Sequence, residues 1–138
     1  MNILKVLTEK RRVGNLGEAA AAKYLKRHGY KILERNYVAF GNEVDIIARS
    51  KDTISFVEVK TRTLTKNGEN LKRPASAVTL EKQKKIIKCA KCYIGSLRYN
   101  SKLRNFKIRL DVIEVYLERT DNGTKLQNII HMEGAFIQ

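Results

Sequence analysis

Two apolar runs split by a polar break constrain this chain more than any other feature. Residues 41–50 read GNEVDIIARS and residues 54–62 read ISFVEVKTR, with KDT between them. Both runs are rich in β-branched residues, and the break at residues 50–53 is polar, so the pair reads as a β-hairpin. If Arg49 faces Ile54 across a four-residue loop, the same register sets Asp45 opposite Glu58 and Glu43 opposite Lys60. Side chains alternate along a strand, so Glu58 and Lys60 then share a face with Asp45. A slip of one residue would turn this set away.

Two carboxylates opposite each other on neighbouring strands sit about 5 Å apart and repel. A cation that bridges them removes the repulsion. Hard cations such as magnesium prefer oxygen ligands and keep several waters. Lys60 would point to the same place, about 7 Å along the strand from Glu58. Two acids, a divalent ion and an ammonium form a set suited to phosphodiester hydrolysis. The plainer alternative is an exposed charge ladder, with Lys60 paired to Glu43 or Glu58. Against it, the acids interrupt apolar runs, VDII and FVEVK, where a purely structural strand gains nothing from them.

Charge points to the partner. In 138 residues there are 28 lysines and arginines against 14 acids, a formal net charge of +14. Solubility asks for a net charge of only about 2–8, so a polyanion is expected. Nucleic acid leads, because phosphate neutralisation releases counterions and drives binding without sequence readout. A membrane partner is not expected, since there is no tryptophan and no apolar run near the roughly 18 residues that cross a bilayer. The first residues, MNILKVLTEKRRVGN, contain no signal-peptide core, and a cytoplasmic location is expected. Cys89 and Cys92 form a single C-x-x-C. A structural zinc site needs four ligands, so one of the pair is expected in the core.

The remaining pattern describes one α/β domain. Residues 1–12 read as a basic arm or a short helix. A helix is expected from Asn15, with Leu16, Ala20, Ala21, Tyr24 and Leu25 as its apolar stripe. Gly29 ends it as a left-handed cap. Residues 30–36 read as a strand. Residues 62–76 hold Arg62, Lys66, Lys72, Arg73 and the only proline, and read as a mobile basic loop. A second helix is expected over residues 79–95, with Leu80, Ile87, Ala90 and Ile94 inward and Lys82, Lys84, Lys85, Lys88 and Lys91 in water. Strands follow at 106–117 and 126–132. Asp111 reads as a satisfied structural acid, Gly14 and Gly17 as a loosened start to the first helix, and Tyr93 and Tyr99 as either core residues or stacking groups. The order predicts a mixed sheet flanked by helices.

GNEVDII followed by FVEVKTR resembles the core motif of the PD-(D/E)xK, restriction-endonuclease-like superfamily. GNLGEAAAAKYLKRHGYKILERN, GNEVDIIA, FVEVKTR, ASAVTLEKQKKI, RLDVIEV and IIHMEGAF together resemble the YraN-like family of uncharacterised bacterial proteins. The likeness spans residues 13–136. That family is thought to share its core with archaeal Holliday-junction resolvases. The resemblance implies a restriction-endonuclease-like single domain over residues 13–138. By position, Asp45 and Glu58 match the metal-binding acids and Lys60 the catalytic lysine. Val59 would offer its backbone carbonyl to the ion, magnesium or manganese. Glu18 matches an acid of the first helix that completes the ligands, although a helix dipole alone favours an acid there. Glu43 and Gln83 match polar groups behind the ligands. Resolvase-like relatives act as dimers, so a homodimer is an expectation of the resemblance alone.

Two functions fit these observations. The first is a metal-dependent endonuclease acting on DNA, branched DNA included. The alternative is a non-catalytic nucleic-acid-binding module that retains the fold. In either, Arg62, Lys66, Lys72, Arg73, Lys82, Lys84 and Lys85 are expected to meet phosphates.

Overall fold

The computed structural model describes residues 2–64, 78–97 and 106–135. The order of elements is α1 (Ile3–Arg27), β1 (Lys31–Ala39), β2 (Asn42–Ser50), β3 (Thr53–Leu64), α2 (Leu80–Leu97), β4 (Lys107–Thr120) and β5 (Gly123–Met132). The five strands form one mixed sheet in the order β1-β2-β3-β4-β5. All neighbours are antiparallel except β3 and β4. A parallel pair cannot be joined by a tight turn, and α2 lies within the connection between them.

The helix expected from Asn15 begins twelve residues earlier, at Ile3. The Asn2 side chain accepts the Leu4 N–H at 3.0 Å and caps it. Residues 3–12, read above as a basic arm or short helix, form its opening turns. The buried face is Gly17, Ala21, Ala22 and Leu25; Leu16, expected on it, is exposed. At the far end Gly29 has φ +85°. Tyr30 N–H reaches Leu25 C=O at 2.9 Å and Gly29 N–H reaches Lys26 C=O at 3.3 Å, the paired bonds of a Schellman stop.

The hairpin register holds from Arg49↔Ile54 to Ile46↔Val57, and the ladder ends before the expected pairs Asp45–Glu58 and Glu43–Lys60. The loop is shorter than expected, because Ser50 also pairs with Thr53. β3 continues to Leu64, so Arg62 is a strand residue opposite Tyr116 and not part of a loop. Lys66, Lys72, Arg73 and Tyr99 lie outside the described residues.

Each face of the sheet carries its own core. Ala21, Ala22 and Leu25 of α1 pack on Ile46, Ala48, Val57, Ile113, Val115 and Leu117. Ile86, Cys89, Ala90 and Tyr93 of α2 pack on Val44, Ile47, Ile54, Phe56, Leu110 and Val112. Ala90 is buried as expected, but the rest of the inward face of α2 is turned from the expected one. Leu80 is 73% exposed, and Ile87 and Ile94 only flank the core. Cys89 is buried as expected. Tyr93 meets Tyr37 and Phe56 edge-on, so it is a core residue. No described helix is long and apolar enough to cross a membrane.

Candidate metal centre

Val44 packs toward α2, yet Ile46, two residues on, packs toward α1. Residues two apart normally share a face, so β2 changes face across Asp45. Its neighbour β1 is irregular at the same level. Asn36 has φ +53°, a left-handed conformation that asparagine tolerates better than most residues. The irregularity is local: β1 runs on to Ala39, past the end expected at residue 36.

The recorded pairing of β2 with β3 stops at Ile46↔Val57. One step beyond, the Asp45 carboxylate accepts the backbone N–H of Val59 at 2.8 Å. A side chain takes the place of a ladder carbonyl. Asp45 therefore stands between the two faces of the sheet and touches groups on both.

On the α1 side, ligand oxygens of Glu18, Glu43 and Asp45 all lie within 4.8 Å of one another. Glu18 reaches this point because α1 passes very close to β3. A Cβ on Gly17 would overlap the Thr61 hydroxyl, so only glycine permits the approach. Gly14 has nothing near it. With its amide oriented by its partners, Asn36 donates to Glu18 at 3.3 Å and to Glu43 at 2.9 Å. Sequence reading missed Asn36; its one signal was an asparagine inside the strand-like run ILERNYVA.

On the α2 side, Glu58 is buried, and its Oε1 is 3.6 Å from Lys60 Nζ and 3.8 Å from Lys82 Nζ. Its Oε2 is buried without a hydrogen-bond partner among the described residues. Burial, and then the charge of Asp45, push the Glu58 carboxyl up to about 7 against the pull of Lys82 and Lys60. Burial also raises Asp45, despite the Val59 N–H and the same lysines. Glu18 is raised by burial and by Asp45. Three crowded carboxyls thus hold protons more tightly than carboxyls in water, as expected where negative charge gathers in a partly dry site.

Of the residues singled out by sequence, Asp45, Glu58, Lys60 and Glu18 come together here. Glu43 lies with Glu18 and Asp45. Lys82, expected only to face phosphates, reaches Glu58. Gln83 instead donates to the Val78 carbonyl at 2.7 Å, a bond that finishes the start of α2. Lys84 is exposed, and Lys85 pairs with Glu81 at 3.6 Å on the surface. Arg62 Nε is buried without a hydrogen-bond partner among the described residues.

Among the described residues, two helices and a five-stranded mixed sheet, with a carboxylate cluster where two strands part, define an α/β class. Within that class, this chain belongs to the uncharacterised protein family UPF0102, the YraN-like family, whose pattern matches residues 17–115. It is 43% identical over 127 residues to a UPF0102 protein of Caldanaerobacter subterraneus subsp. tengcongensis, covering 92% of this chain and 96% of that one. It is 44% identical over 126 residues to one from Clostridium acetobutylicum (91% and 94% covered). It is 45% identical over 125 residues to one from Chlorobium phaeobacteroides (90% and 92% covered).

Proposed function

We propose that this protein is a metal-dependent endonuclease of the restriction-endonuclease-like type, acting on DNA. The observation that carries the reading is the Glu18–Glu43–Asp45 cluster beside Glu58, Lys60 and Lys82. Magnesium held about 2.0–2.1 Å from each oxygen sets two ligands at most about 4.2 Å apart. The three acids bring their oxygens within 4.8 Å of one another, near enough for small side-chain adjustments to close them on one ion. Their oxygens are the donors that magnesium or manganese prefers. The orphaned Glu58 Oε2 offers a further oxygen beside them.

A bound divalent ion would supply positive charge against the charge that develops on a phosphate during hydrolysis. The chain's own residues do the rest. Glu18, Glu43 and Asp45 would hold the ion. The Val59 N–H fixes the Asp45 carboxylate, and Asn36 fixes the two glutamates. Lys60 and Lys82 bring ammonium groups to Glu58 from β3 and α2, where they can draw a phosphodiester toward the acids. The net charge of +14 supports a polyanionic substrate over a small ester.

The second reading is a nucleic-acid-binding module without catalysis. The two lysines on Glu58 favour it, because they already offset its charge without an ion. Calorimetric titration of magnesium and manganese separates the two readings. Wild type should bind an ion, and Asp45→Asn and Glu58→Ala should not. Wild type should cut DNA, and both variants should bind it uncut. Equal cleavage by Glu58→Ala, in a preparation free of other nucleases, would sink the endonuclease reading. Ion-independent binding with no cleavage would establish the module.

A further inference from the structure

A cavity of about 400 Å³ opens at the opposite end of the sheet from the acids. Tyr24 and His28 line it from the last turns of α1, Tyr30 from just before β1, Lys51 from the β2–β3 turn, Arg109 from β4 and His131 from β5. One side of it is aromatic, Tyr24, His28, Tyr30 and His131, and the β2–β3 turn makes a polar side with Ser50, Lys51, Asp52 and Thr53. Tyr24 stacks on His28 with centroids 4.0 Å apart. His131 meets Tyr24 edge-on at 5.7 Å and Tyr30 at 6.0 Å.

A fully buried acid sets these groups in place. Asp111 is 0% exposed. It accepts two bonds from Arg109, each 2.9 Å, one from His131 Nε2 at 2.8 Å and one from the Gly134 N–H at 2.9 Å. Arg109 also donates to the Tyr30 hydroxyl. A guanidinium, an imidazole and a phenol are thereby locked before any ligand arrives, which lowers the entropy lost on binding.

The chemistry of the cavity selects its ligand. Aromatic rings and a guanidinium plane are the surfaces on which nucleobases stack. Arg109 is already offset by Asp111 and by Glu133 at 3.5 Å, so the cavity is a poor site for a bare anion. A flat, neutral heteroaromatic ring with polar edges fits it better. The volume lies within the range of small-ligand sites, about 300–1,000 Å³. Position agrees with this. Glu18 and His28 are ten residues apart on α1, about 15 Å at about 1.5 Å per residue, so one strand of nucleic acid can reach both.

We propose that this cavity takes a nucleobase. The base comes either from an unpaired nucleotide of the strand held at the acids, which rests on the nucleic-acid reading above, or from a free nucleotide, which does not.

The protein supplies its own reporter, because it has only two histidines and both line the cavity. Their ring proton signals are followed by NMR in the full chain, without divalent metal. The chain is titrated with each deoxynucleoside monophosphate, with a single-stranded oligodeoxynucleotide, and with inorganic phosphate as the control. Saturable shifts of both histidines by nucleotide or oligonucleotide, and not by phosphate, are expected. His28→Ala, at an exposed position, should weaken binding about fivefold or more, the lower end for base–aromatic stacking, with His131 as the remaining reporter. Shifts with the oligonucleotide alone assign the base to a strand; shifts with mononucleotides assign it to a free nucleotide. Phosphate acting as well as nucleotide would overturn the proposal. So would an oligonucleotide that binds, by fluorescence anisotropy, while neither histidine responds to it or to mononucleotides; that result leaves the nucleic-acid reading standing. Absence of oligonucleotide binding removes that reading instead, and the mononucleotide arm then decides the cavity alone.

Discussion

The carboxylate of Asp45 accepts a hydrogen bond from the backbone N–H of Val59, at 2.8 Å, at the point where the pairing of β2 with β3 stops. This bond gives Asp45 a structural duty beside any metal. Asp45→Ala leaves the Val59 N–H without its partner, which costs about 1–3 kcal/mol. Asp45→Asn keeps an oxygen for the N–H and removes a charge from a repelling cluster. Thermal unfolding without metal should therefore place Asp45→Ala below wild type and Asp45→Asn at or above it. Asparagine as damaging as alanine would refute this account of the site.

Glu58 gives a pH dependence with a definite sign. Its carboxyl is pushed up to about 7 in the fold, from an ordinary 4.5. Between these values the folded chain binds more proton than the unfolded chain, so its stability falls as pH rises through the window. Urea midpoints of metal-free wild type should drop between pH 5 and about 7. Glu58→Gln should flatten that part of the curve. A wild-type profile that matches the glutamine variant would show that Glu58 is not under this pressure.

Asp111 works in the opposite sense. Burial alone would raise its carboxyl, but bonds from His131, Arg109 and the Gly134 N–H overcome that and hold it below its ordinary 3.8. Its stabilisation is present above that value and is lost as pH falls through the lower folded one. Asp111→Ala should cost about 3 kcal/mol, the low end for a broken buried pair, because Arg109 keeps Glu133 at 3.5 Å. Denaturant unfolding at neutral pH measures it, and a loss within error of zero would contradict the geometry.

Gly17 is tested by a single methyl group. Gly17→Ala drives a Cβ into the Thr61 side chain, and such overpacking costs about 1–3 kcal/mol. Thr61→Ala should recover part of that loss in the double variant. Metal affinity should fall with Gly17→Ala too, since α1 must retreat from β3 and carry Glu18 with it. A neutral Gly17→Ala would show that the helix has room.

The hairpin and its register were legible because alternation and a polar break fix a local pairing. That register led to the nearness of Asp45 and Glu58, although the ladder itself ends one pair short of them. What escaped was set by contacts distant in sequence. Asn15, Gly14 and Gly17 look like helix punctuation, yet α1 runs through all three, because Gly17 serves a close approach to Thr61 on another element. Leu80 looks like core, but it is the first residue of α2, and the buried face is set by how α2 lies on the sheet. Lys82 looks like one lysine among many, and only the docking of α2 carries it to Glu58. Asn36 needed the left-handed turn of a neighbouring strand to reach Glu18 and Glu43.

The twelve paired positions of β3 and β4, from Thr53↔Lys107 to Leu64↔Glu118, have a consequence for how this chain can change length. The ladder acts as a ruler, with Glu58 and Lys60 graduated along β3 and the Asp111 network along β4. One residue inserted within either strand would turn every later side chain to the opposite face and push Asp111 or Glu58 into an apolar core. A residue inserted at the exposed Asp121–Asn122 turn shifts neither scale. Chains built on this plan are therefore free to lengthen at that turn, while the distance between Glu58 and Asp111 stays fixed.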